Sequence, residues 1–195
     1  MASETSVVTP ERYSNGLTYT EYLEQIKVNK DWFERLYDNF QLQPEDAQFF
    51  REAAQNPGGP ARMLVVGEDW CPDVYRGMPM LARLAEAAEI EMRVFLRDEN
   101  LDIMNEFLKE GKFQSIPAAV FYTRDHQYIC HWIERPARAT REMAEIASQV
   151  KQEMPDAPEA EQRAAARPRT QARFPNWQQE SVKEMRAMLT ERMGI

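Results

Sequence analysis

Apolar residues recur at helical spacing through the first quarter of the chain, give way to short valine-rich runs, and return to helical spacing near the end. Thr18 and Glu21 form a capping box, and Tyr22, Ile26, Phe33, Leu36, Tyr37 and Phe40 then keep one face apolar. That spacing predicts one amphipathic helix to about residue 40. Pro44 opens a second helix carrying Ala47, Phe49 and Phe50, which the breaker cluster Asn56-Pro57-Gly58-Gly59-Pro60 ends.

Residues 63–67 are short, apolar and valine-rich, as expected of a parallel strand buried on both faces. Residues 72–89 carry Met78, Leu81, Leu84, Ala85 and Ala88 on one side and predict a helix kinked at Pro79. A half-alternating strand follows over 91–97, then a helix over 101–110 with Asn100 as its cap and Gly111 as its end. Residues 117–123 and 127–134 are β-rich runs close enough to form an antiparallel hairpin. From 137 to 154, Met143, Ile146, Ala147, Val150 and Met154 return at helical spacing. The order β-α-β-α-β-β-α predicts an α/β protein, a three-layer α/β/α sandwich whose mixed sheet has a parallel first pair and an antiparallel last pair.

The flanks divide the rest. Residues 1–16 are polar and aperiodic and read as a flexible leader; 17–59 form an N-terminal helical extension, and 60–154 the core. Residues 155–173, rich in Pro, Ala, Glu and Arg, read as a linker, part helical over 159–166. Residues 174–195 form a C-terminal amphipathic helix, with Asn176 and Gln179 at its start and a stripe of Val182, Met185, Met188, Leu189 and Met193. That stripe either docks on its own core or offers a surface for a homodimer or another partner.

At 195 residues the chain is long enough for one sizeable core. A net charge of -8 argues against nucleic acid and anionic membranes as partners, since both require clustered positive charge. The first residues lack a basic-then-apolar signal pattern, and no apolar run approaches a bilayer span, so the expected location is cytoplasmic. Two cysteines are too few for a disulfide scaffold.

Three separated features carry chemistry: Trp70-Cys71 where a strand gives way to a helix, Pro79 eight residues after the cysteine, and Ser115-Ile116-Pro117 opening the next strand. Together they resemble the thioredoxin superfamily over about residues 62–153. With Glu68-Asp69-Trp70-Cys71, Leu96-Arg97-Asp98-Glu99-Asn100 and Trp132-Ile133-Glu134-Arg135-Pro136, the chain is similar to a bacterial thioredoxin-like family whose first strand and helix are replaced by a helical segment. The resemblance implies Cys71 as the reactive thiol and Trp70, Pro72, Asp73, Ile116 and Pro117 as the substrate surface. It also implies a cis proline at Pro117, with the Ile116 backbone pairing with a bound peptide. Val74 stands where a resolving cysteine would be, and Val65 where thioredoxins commonly bury an aspartate, so intramolecular disulfide formation is blocked.

Cys71 at a helix N-terminus is favoured as thiolate by the backbone dipole, while Glu68, Asp69 and Asp73 oppose it. As thiolate it would attack a protein or small-molecule disulfide, and an outside thiol such as glutathione or another low-molecular-weight thiol would be needed to release it. The other reading is a redox-inactive binding module that keeps Cys71 as a packed remnant. No resident cofactor is expected. Cys130 alternates with Tyr128 and Trp132 and reads as core. His126, Cys130 and His131 do not make a metal site, because adjacent strand residues face opposite ways and a fourth ligand is missing. Arg97 can meet a substrate carboxylate or a neighbouring acid.

Overall fold

The computed structural model describes residues 6–195. Its centre is a mixed sheet of β1 (Arg62–Gly67), β2 (Glu91–Leu96), β3 (Ala118–Tyr122) and β4 (Tyr128–Ile133), in the order β2-β1-β3-β4. β1 runs parallel to β2 and antiparallel to β3, and β3 and β4 form the expected hairpin. Flanked by a strand on each side and covered by helices, β1 buries Met63 through Val66 completely, which explains why its sequence does not alternate.

Nine helices complete the described part: α1 (Pro10–Ser14), α2 (Tyr19–Gln25), α3 (Lys30–Asn39), α4 (Pro44–Gln55), α5 (Pro72–Ala88), α6 (Leu101–Met104), α7 (Ala137–Glu153), α8 (Glu159–Gln171) and α9 (Phe174–Met193). The fold is the α/β sandwich expected, with α5 packed on β1 and β2 and the added helices gathered around it. α5 continues through Pro79 without interruption.

Five expectations change. The first five residues of the expected leader lie outside the described ones, but its remainder is not loose. Val8 and Tyr13 are buried, and the Tyr13 hydroxyl donates to the Glu91 carbonyl at 2.6 Å. Leu17 exchanges backbone bonds with Val94, covering the open edge of β2 with one isolated bridge.

The single helix expected to residue 40 is two helices. Ile26 is extended and Asn29 left-handed (φ 58°), and the amides of Lys27 and Val28 donate to the Asp69 carboxylate at 2.7 and 3.1 Å. A distant charged acceptor thus takes donors that a continuous helix would send four residues back.

α6 is far shorter than the predicted 101–110, and Asn100 does not cap it with its side chain. Asn100 instead donates to the Leu96 carbonyl at 2.8 Å and accepts from Arg12 at 3.0 Å. Beyond Met104 the chain turns to bury Phe107, and Gly111 lies in a reversal between Lys109 and Phe113.

In place of a linker, α8 runs beyond the predicted helical part and lies against α7, with Gln162 donating to the carbonyls of Met154 and Ala157 at 2.9 and 3.1 Å. It buries no residue, which is why it lacks an apolar period.

α9 begins at Phe174, so Asn176 sits inside it rather than at its cap. Its stripe docks on its own core: Val182, Met185 and Leu189 are fully buried, each contributing about 1.5–3 kcal/mol, and Met188 and Met193 pack against it partly buried. Glu184 binds the Trp132 indole at 3.0 Å and the Ala137 amide at 2.7 Å, so α9 also supplies an acceptor to the open N-terminus of α7.

Candidate active site

The site forms where β1 ends and α5 begins. Cys71 is the N-cap of α5, Pro72 is its first helical residue, and the Cys71 carbonyl accepts the amides of Val74 and Tyr75 at 3.0 and 3.1 Å. The Ile116–Pro117 peptide is cis, and Cys71 Sγ lies 3.8 Å from the Ile116 carbonyl oxygen. Gly77 lets α5 pass close beneath this corner, since a Cβ there would meet Pro117 Cγ at 3.1 Å. Cys71, Ile116 and Pro117 therefore come together as the sequence suggested.

The surface around them is partly as expected. Trp70 is 49 % exposed, with the Arg97 guanidinium 5.0 Å from its ring centroid. Arg97 pairs with Asp98 at 2.7 Å, the neighbouring acid rather than an open site. Pro72 is exposed, but Ile116 and Pro117 are buried in their side chains, leaving their backbone as what they can present. Asp73, expected on the substrate surface, is buried. Arg76, one helical turn on, and Arg135, two residues before α7, each lie 2.5 Å from one of its carboxylate oxygens.

The loop leading in is fastened as well. Glu68 is buried and accepts the Asp98 amide at 2.8 Å; burial holds its carboxyl above the usual range. Two clefts, of about 570 and 550 Å³, lie at the opposite end of the sheet around residues 56–59 and the β3–β4 turn. Cys71 lines neither.

Burial pushes the Cys71 thiol up, and the Asp73 carboxylate adds to that. The amides of Val74 and Asp73 and the Arg135 guanidinium pull the other way without overcoming it. Cys130, buried on β4, is pushed up to about 11 by burial, and both cysteines are free. Val65 is fully buried beside Val94 and Ala119, so the position under the helix start is apolar. His126 contacts the Val8 carbonyl and His131 the Tyr128 hydroxyl, two separate places.

Arg76 and Arg135 hold Asp73, and Glu134 and Lys109 extend the network beyond Arg135; none of the four was among the expected site residues. Asp73 and Arg76 stand three residues apart, a spacing that pairs charges on a helix. Arg135 is 62 residues from Asp73 and leaves no local signal.

A family model described as thioredoxin matches residues 16–173. Among solved structures, the chain is similar to a Pseudomonas aeruginosa protein of unknown function, with 12 % identity, a TM-score of 0.63, and coverage of 92 % of this chain and 95 % of that one. An HIV epitope scaffold is similar at 13 % identity and a TM-score of 0.62, covering 93 % and 96 %. No curated protein matches. These likenesses establish the shared fold, and the family match spans the extension, the sheet, Cys71 and the cis Pro117 together. The chain belongs to the thioredoxin family.

Proposed function

We propose that the protein carries out thiol–disulfide exchange through one cysteine, Cys71, in a branch of the thioredoxin family that has given up the second. The observation that carries this reading is the placement of Cys71 Sγ at the first turn of α5, 3.8 Å from the Ile116 carbonyl beside the cis Pro117. The Cys71 thiolate attacks one sulfur of a protein or small-molecule disulfide. The S–S bond breaks, the departing sulfur leaves as a thiolate and takes up a proton, and Cys71 is left in a mixed disulfide. With Val74 in place of a resolving cysteine, a second thiol, glutathione or another of low molecular weight, attacks the mixed disulfide and returns Cys71 to its reduced form. Trp70 and Pro72 provide the exposed wall, Ile116 the backbone edge, and Asp73 a charge held beneath. A reducing cytoplasm supplies such thiols; no described helix is long and apolar enough to cross a membrane.

Incubation with glutathione disulfide, followed by peptide mass spectrometry, tests this. Glutathione on Cys71 and none on Cys130 is the expected result, with modification faster at alkaline pH; equal inertness of both cysteines would sink the proposal.

A second reading, a redox-inactive binding module using the same surface, is favoured by the packing of Cys71 against the core, since burial disfavours its thiolate. On that reading Cys71→Ser keeps the partner and the cellular phenotype, whereas on the first it loses the phenotype while remaining folded.

A further inference from the structure

From Asp73, two residues after Cys71 in the first turn of α5, runs a chain of alternating charges. Arg76 Nη2 lies 2.5 Å from Asp73 Oδ1, and Arg135 Nη2 lies 2.5 Å from Asp73 Oδ2 and 2.5 Å from Glu134 Oε1. The other Glu134 oxygen meets the Lys109 ammonium. Three cations and two anions make up the chain, so it holds one positive charge in excess.

Lys109, at 35 % exposed, is the most open member, and the rest of the network is poorly solvated. The Arg76 side chain is 3 % exposed, Asp73 11 %, Glu134 17 % and Arg135 20 %. Arg76 is further enclosed by the rings of Phe174 and Trp177. A charge in such surroundings is costly unless an opposite one lies close by. The Arg135 guanidinium is not fully used within the network: one nitrogen serves both carboxylates, and its buried Nε–H has no acceptor among the described residues.

Cys71 is a titratable neighbour of the network, and both Asp73 and Arg135 act on its thiol. The other groups facing it are Tyr75 and Arg76 from α5 and Tyr22 from α2, with Glu68 and Asp69 of the approaching loop also facing Tyr22. Burial pushes the Tyr22 and Tyr75 hydroxyls up, so both stay neutral where a thiol titrates. The Cys71 thiolate would be the third anion.

We propose that Arg135 is a positioning residue for Cys71: through its ion pair with Asp73 it offsets that carboxylate, and it maintains the excess positive charge that a Cys71 thiolate balances. This inference rests on Cys71 being the reacting group and identifies what supports its thiolate in the absence of a second cysteine.

The test is the pH profile of Cys71 modification by iodoacetamide in the full chain, read by peptide mass spectrometry. Arg135→Gln should move the midpoint up by about one pH unit. At neutral pH the rate should fall about threefold, because a tenfold loss of thiolate is partly offset by its greater nucleophilicity. Arg135→Lys should restore most of the midpoint, and Glu134→Gln, which removes an anion, should move it down. A folded Arg135→Gln variant with the wild-type midpoint overturns the proposal, as does an equal displacement in Arg135→Gln and Arg135→Lys. If Arg135→Gln does not fold, Glu134→Gln decides: a lowered midpoint supports the proposal and an unchanged or raised one overturns it. Iodoacetamide reads the thiolate without any disulfide substrate, so failure of the exchange reaction and failure of this electrostatic role remain distinguishable.

Discussion

Asn29 donates its side-chain amide to the Asp69 carbonyl at 2.8 Å, tying the connection between α2 and α3 to the loop that carries Trp70 and Cys71. The Asp69 carboxylate completes the tie by accepting the amides of Lys27 and Val28. The N-terminal extension is therefore part of the support of the site, and the break in its first long helix is what makes the contact.

Asp69→Ala removes both carboxylate bonds and leaves two amides to find water. Stability should fall by about 1–3 kcal/mol in urea unfolding. Hydrogen exchange should quicken at Lys27 and Val28 while the β1 amides stay protected; unchanged exchange at those two residues would show that the tie does not hold the connection.

Arg76→Leu keeps apolar contact with Phe174 and Trp177 but leaves the buried Asp73 with Arg135 alone. The loss of one partner of a buried pair should cost about 3 kcal/mol and lower the melting temperature by several degrees. A variant as stable as the parent would mean that the Asp73–Arg76 pair contributes nothing net.

Gly67 ends β1 under the first turns of α5, where a Cβ would come within 2.6 Å of Met78 Cε and 2.9 Å of Val74 Cγ1. Met78 can move aside, but the branched Val74 is fully buried and has little room. Gly67→Ala should destabilise the protein by about 1–3 kcal/mol and disturb the helix start that carries Cys71. Calorimetry gives the first effect and the iodoacetamide profile the second; a gain in stability would contradict the packing described.

Alkaline pH should weaken the fold. In the unfolded chain a thiol titrates near about 8.5, whereas burial pushes Cys130 up to about 11 and raises Cys71 as well. In that window the folded chain binds more protons than the unfolded one, so stability is whole below about pH 8.5 and declines as pH rises toward about 11. Denaturation midpoints across that range should fall, and Cys130→Ala should flatten the descent; an equally steep descent in the variant would remove Cys130 as a cause.

Much of the core was legible because its signals are local. A valine-rich run surrounded by strands and helices, two β-rich runs separated by a turn, and the periodic α7 each follow from burial on one or two faces. The same holds for Cys71 at the head of α5, since the Trp-Cys-Pro turn and Pro117 are written as residue types at set positions. Where the reading went astray, a distant group had taken over: Asp69 drew the amides of Lys27 and Val28 out of a helix, Arg12 and Leu96 occupied the Asn100 side chain, and α8 lies along α7 without burying a residue.

By itself the sequence determined the alternation of strands and helices, the position of the one cysteine at a helix start and the absence of a second beside it, because periodicity, turn chemistry and residue identity act over a few neighbouring positions. Only the tertiary structure decided that Val8 and Tyr13 of the leader enter the core, that α9 closes on its own domain, and that Asp73 faces two arginines rather than a substrate. The physical reason is that burial and charge pairing depend on what approaches in space, and Arg135 reaches Asp73 across 62 residues of chain.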